Sequence, residues 1–139
     1  MDWLSIRKPL SAQDIRELEK TLQIALPPDY RILIGPINGG ALRDAWVPVP
    51  ELGPVPYARN VALNRDARAS IFDLIDWFSC GELKLFPFAS VGNGDYFCFD
   101  LSRNSVVLFR HETCSVVFVC TTFTELLGRI EARQNPPFQ

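Results

Sequence analysis

The chain is short of the residues and runs that announce most chemistries. It holds a single histidine, His111, so any histidine-dependent mechanism runs through one position. Its four cysteines, Cys80, Cys98, Cys114 and Cys120, form no CxxC pair and no zinc-like spacing, so no metal site is expected. In a reducing compartment they are expected as free thiols packed like small apolar side chains, with a disulfide as the alternative. No basic stripe runs along the sequence, and the formal charge is −2. Phosphate neutralisation needs clustered Lys and Arg, so nucleic acid is not expected as the main partner. The longest apolar run, VVFVC at 116–120, is far too short to span a bilayer. MDWLSIRKPLS at the N-terminus has no apolar run of signal-peptide length, so a cytoplasmic protein off the membrane is expected.

What is present is an ordinary globular balance. Hydrophobic residues are 47% and charged residues 22% of 139, enough for one domain with its own core. Ser11 and Asp14 make a capping-box-like start to a first helix, with Ile15, Leu18 and Leu22 on one face. LPPDY ends that helix and opens a short second one with Pro28 in its first turn and Asp29 at its N-terminal dipole. Leu33, Ile34 and Ile37 are its expected buried side, and NGG at 38–40 its stop. Prolines at 48, 50, 54 and 56 exclude a central strand and a helix interior. That segment reads as an extended loop lying on the fold, with one edge strand near Trp46 and Val47. A third helix is expected from an Asn64 cap, with Ala67, Ile71, Leu74, Ile75 and Phe78 as its stripe and Gly81 as its stop. Then LFPFA, YFCFDL, VVLFRH and SVVFVC read as a β-meander, and Thr122 to Glu125 caps a last helix. The expected architecture is α+β: an antiparallel-rich twisted sheet of about four to six strands with helices packed against it.

The stretches that invite a catalytic reading do not sustain it. In SVGNGDYFCFDL, Gly92 and Gly94 precede a strand and no third glycine follows, so the dinucleotide pattern fails; no GK[ST] ending exists for a P-loop. Both glycines instead suit a turn that needs positive φ. DLSRNS at 100–105 resembles a calcium loop only briefly, because Ser105 stands where glycine is required and His111 where glutamate is. HET at 111–113 is not HExxH, no GxSxG elbow is present, and Cys114 beside His111 is a poor nucleophile pair. His111 therefore reads as a strand-end residue. Asp95, Asp100 and Glu112 remain as carboxylates that the sheet ends would have to bring together before they could act.

Surface chemistry is what remains. Asp73, Asp76 and Glu82 form an acidic run without Lys or Arg beside Trp77, while Trp46, Glu51 and Tyr57 lie in the proline-rich loop. Charge steers encounter and aromatics anchor it, so these seven residues are the candidate contacts for a basic protein partner. Read singly, each is better taken as a solvated or half-buried surface residue than as a contact.

Two stretches together resemble a known family. IRELEKTLQIALPPDYRILIGPINGG at 15–40 and LFPFASVGNGDYFCFDLSRNSVVLFRHE at 85–112 resemble the SUKH superfamily of cell-wall-assembly-regulator-like domains, and TTFTELLGRI at 121–130 is similar to its closing helix. The resemblance implies one domain: a helical stretch at 15–40, a variable segment at 41–84, a meander at 85–120 and a C-terminal helix in 121–134. It further implies a non-enzymatic bacterial immunity protein that sequesters a cognate polymorphic or contact-dependent toxin domain, such as a nuclease or deaminase, without a cofactor. The alternative is a regulatory adaptor for cellular protein partners, with an enzyme built on Asp95, Asp100 and His111 a distant third. Specificity is expected in 41–84, where the resemblance gives out.

Overall fold

The computed structural model describes residues 1–78 and 84–132. Its frame is a five-stranded antiparallel sheet in the order β3-β4-β5-β6-β7: Arg59–Asn60, Leu85–Ser90, Tyr96–Asp100, Ser105–Arg110 and Ser115–Cys120. The meander expected from the sequence is there, strand for strand. Alternation puts Phe97 and Phe99 on one face and Tyr96, Cys98 and Asp100 on the other, and the register sets Phe97 opposite Leu108 and Phe99 opposite Val106. A bulge between Pro87 and Ala89 adds Phe88 to the first face, so Phe86, Phe88, Phe97 and Phe99 make one aromatic layer.

Helices α1 (Ala12–Leu22), α2 (Pro28–Leu33) and α4 (Phe123–Arg129) contribute to the main core, which that layer dominates. Asp14 and Ser11 cap α1 reciprocally, and the Ser11 hydrogen bonds hold the Asp14 carboxyl below its ordinary value. In α2 the buried residue is Tyr30, whose ring meets Phe86, Phe88, Phe99 and Phe123 at 4.9–6.2 Å. Leu33, expected inside, is exposed. The helix stops after that residue, and a 3-10 turn at Gly35–Ile37 turns Ile34 inward instead. Asp29 ties the two short helices together: its Oδ2 accepts the Thr124 N–H and hydroxyl, both at 2.8 Å.

Two expectations need correction. The proline-rich segment is a hairpin, β1 (Ala45–Val49) and β2 (Gly53–Pro56), and β1 is the middle strand of a second sheet, β2-β1-β8, completed by Glu131–Ala132. Pro48 is tolerated because β8 pairs only with Ala45 and Trp46, leaving the rest of that side of β1 open. The same strand ends the closing helix at Arg129, short of the expected 121–134. The third helix is also shorter than its stripe implied. α3 is Ile71–Leu74, continued by a 3-10 turn at Ile75–Phe78. Ala69 is left-handed, φ 51°, which no helix interior allows, so the helix begins at Ser70 rather than Asn64. Its expected stop, Gly81, lies outside the described residues.

This segment closes the second face of the sheet. Phe78 packs on Leu85, Cys98, Val107 and Phe109, with ring centroids 4.8 Å from Phe109 and 5.3 Å from Tyr96.

Candidate functional site

Six of the seven candidate contacts lie among the described residues, and the structure does not bring them together. Trp46 is half-buried on β1 and its indole N–H donates to Glu131 Oε2 at 2.9 Å across the small sheet. Glu51 is exposed at the tip of the β1–β2 hairpin. Tyr57 is not on the surface: it is 1% exposed, stacks on Phe97 at 5.7 Å, and its hydroxyl bonds to Asn60 Oδ1. Burial raises its pKa well above the ordinary phenol value. A ring placed so stabilises the core and is withdrawn from any partner. The small sheet feeds Val47 and Val49 into the main core, whereas α3 and its 3-10 turn carry Phe78 onto the opposite face of the large sheet.

Asp73, Asp76 and Trp77 are all exposed on α3 and its 3-10 turn, Trp77 by 80%. Asp73 also accepts the Ser70 N–H at 3.2 Å, which fixes the start of α3. Glu82 lies outside the described residues. The sequence reading missed a neighbour: Phe118, 57% exposed, sits opposite Val107 in register and so points to the face that Phe78 covers. Period-two alternation in SVVFVC carried that signal, since Phe118 shares parity with Val116 rather than with Val117. Phe78 and Phe118 thus share the second face of the sheet, and Asp73, Asp76 and Trp77 are exposed on the segment that ends in Phe78.

The carboxylates do not converge. Asp95 and His111 meet at one end, where Asp95 Oδ1 accepts the His111 backbone N–H at 3.0 Å and lies 2.5 Å from ring Nδ1. Gly94 lies under that ring, and a Cβ there would stand 3.0 Å from it. Asp100 is at the far end of β5, roughly 13 Å along the strand at 3.3 Å per residue. It is buried, and its Oδ1 accepts the N–H groups of Ser102 and Arg103 to shape the β5–β6 turn. A cleft of about 400 Å³ borders Asp100, Asp29 and Arg31. Two of its charged residues hold the fold. Asp29 staples α2 to α4, and Arg31 donates through one terminal nitrogen to Glu19 at 3.1 Å and to the Leu26 carbonyl at 2.9 Å, while its Nε is buried without a hydrogen bond among the described residues. Among the described residues no three of His, Cys, Asp and Glu are grouped to hold a metal ion, and no helix is long and apolar enough to cross a membrane.

The sequence signature has a physical basis in the same geometry. Asn38 is fully buried; its amide donates to the Lys8 carbonyl and to Asn64, and its oxygen accepts the Leu63 N–H at 2.8 Å. NGG is thus a junction for three chain segments.

Residues 9–129 match the SMI1 / KNR4 family (SUKH-1). No curated protein and no solved structure matches the chain.

Proposed function

The chain belongs to the SMI1 / KNR4 family (SUKH-1), and from that premise we propose that it is a protein-binding domain that neutralises a toxin domain by stoichiometric occlusion. The observation that carries this reading is the exposure of Trp77 together with Asp73 and Asp76 on α3 and its 3-10 turn, the segment whose Phe78 packs on the sheet face that also carries exposed Phe118. Exposed aromatics supply anchors of about 2 kcal/mol or more once a partner buries them. Adjacent carboxylates favour a basic partner and speed its approach. A toxin domain acting on nucleic acid carries a basic active-site face, which is the complement of such a surface. The binder needs no catalytic group of its own.

The test is co-expression with the C-terminal domain encoded beside this gene. Rescue of growth together with co-elution at equal stoichiometry supports the reading. Growth arrest that persists although both chains are soluble contradicts it for that pair.

A further inference from the structure

A second, smaller cleft, about 100 Å³, lies where the N-terminal segment, β3 and the loop before α3 meet. Arg7, Arg59 and Arg68 all line it, and no acidic residue does. Among the described residues none of these three side chains has an ion pair or a hydrogen bond to protein. Arg31 and Arg129 are instead paired with Glu19 and Glu125, and Arg65 lies 4.1 Å over the Phe72 ring. Among the described residues Arg43, Arg103 and Arg110 are also without an ion pair, but only Arg7, Arg59 and Arg68 line one cleft together. Cations gathered without counter-charge repel one another, and an anion relieves that repulsion.

The scaffold fixes where these arginines start. The Arg7 N–H donates to the Asn38 carbonyl at 2.7 Å, and its side chain lies across Gly39. A Cβ on Gly39 would fall 2.2 Å from Arg7 Cγ, and φ there is +68°. Glycine is therefore needed both for the turn and for the seat of Arg7. Arg59 is held in β3 opposite Ser90, and Arg68 precedes left-handed Ala69 at the entry to α3. Ser90 and Tyr96 also line the cleft. The Ser90 oxygen accepts the Gly92 N–H at 3.1 Å, leaving its own proton to donate. Burial raises the Tyr96 pKa, which keeps that hydroxyl a donor at neutral pH.

We infer that this cleft binds the phosphate group of a small phosphomonoester. A carboxylate is planar, and a single guanidinium meets both its oxygens and balances its one charge in bidentate contact, whereas three guanidinium groups and two hydroxyls suit a compact tetrahedral dianion. The space takes one such group, with the remainder of the ligand in solvent. The inference stands independently of toxin binding.

The experiment is a ¹⁵N–¹H NMR titration of the full chain at constant ionic strength with inorganic phosphate, then with adenosine monophosphate, then with a short single-stranded oligonucleotide, against chloride. The expected result is saturable shifts at Gly39, Val61, Ala62 and Ser90 with both small phosphates. Arg59→Gln and Arg68→Gln alter exposed, unpaired side chains, so each variant keeps the wild-type spectrum and binds about tenfold more weakly. The inference is overturned by the absence of saturable shifts, by shifts that persist unchanged in both variants, or by oligonucleotide binding without a response to phosphate.

Discussion

At the scale of single residues, the Asp-Tyr and Asn-Gly-Gly positions are structural. Tyr30 stands at the centre of the aromatic core, yet its hydroxyl is buried without a partner among the described residues, and burial pushes its pKa far up. An unpaired buried hydroxyl costs free energy that its removal returns. Tyr30→Phe is expected to raise stability by about 1 kcal/mol in urea unfolding, with the midpoint moving up and the slope unchanged. Sequence reading found this residue as part of a motif but assigned the buried side of α2 to Leu33, Ile34 and Ile37. Ile34 is buried and Ile37 packs partly against the core as expected, but Leu33 is exposed, because α2 has only six residues before the chain tightens into a 3-10 turn. Arg7, Arg59 and Arg68 were invisible for a different reason. They are far apart in sequence, and a basic cluster made by folding leaves no basic run.

At the scale of elements, local chemistry was most legible where caps and alternation agree. The α1 capping box, the four meander strands and the Thr122 start of α4 could all be read from residue order, since each depends on neighbours within a few positions. The proline-rich segment was not legible, because whether a proline interrupts a ladder depends on how far the neighbouring strand extends. Here β8 is two residues long and arrives from the other end of the chain. The β1–β2 hairpin carries an observable consequence. The Leu52 N–H donates to the Val49 carbonyl at 3.1 Å, and Glu51, at φ 70°, occupies the turn position that favours glycine. Glu51→Gly relieves that strain, though glycine also gains freedom in the unfolded chain. A net gain of about 0.5–1 kcal/mol is expected from thermal or urea unfolding. The same variant tests whether Glu51 contributes to partner binding, since it removes the carboxylate without harming the fold. The predicted third helix shows the opposite lesson. Its apolar stripe was real, but Ala69 interrupts the helix, and only Ile71 onward uses the stripe to cover the sheet.

At the scale of the whole molecule, one sheet separates two surfaces. The face bearing Phe97 and Phe99 is closed by α1, α2, α4, the small sheet and Ile71 of α3, while Phe78 at the end of the following 3-10 turn covers the other; Trp77 and Phe118 are exposed. The exposure of the candidate contacts was legible only in part: Asp73, Asp76 and Trp77 are exposed along one segment, but Trp46 is half-buried in another layer and Tyr57 lies in the core. A pH effect also belongs at this scale. Burial raises the thiols of Cys98 and Cys120, the latter up to about 11, along with the phenols of Tyr30 and Tyr57. Groups whose pKa is raised by folding bind protons more tightly in the folded state, so their contribution is intact below the unfolded value and declines as pH rises toward the folded one. Stability is expected to fall progressively above about pH 9, in step with the ordinary thiol pKa of about 8.5. Urea midpoints measured from pH 7 to 11 check this, and a flat profile would contradict the burial of these groups.

The most direct measurement of the central claim is calorimetric titration of the cognate toxin domain with wild-type chain, Asp76→Lys and Trp77→Ala, all checked for unchanged unfolding midpoints. The account predicts one-to-one binding that weakens at least tenfold in each variant, consistent with an anchor of about 2 kcal/mol. Unchanged affinity in both variants would place the partner elsewhere on the molecule and contradict the assignment of this surface.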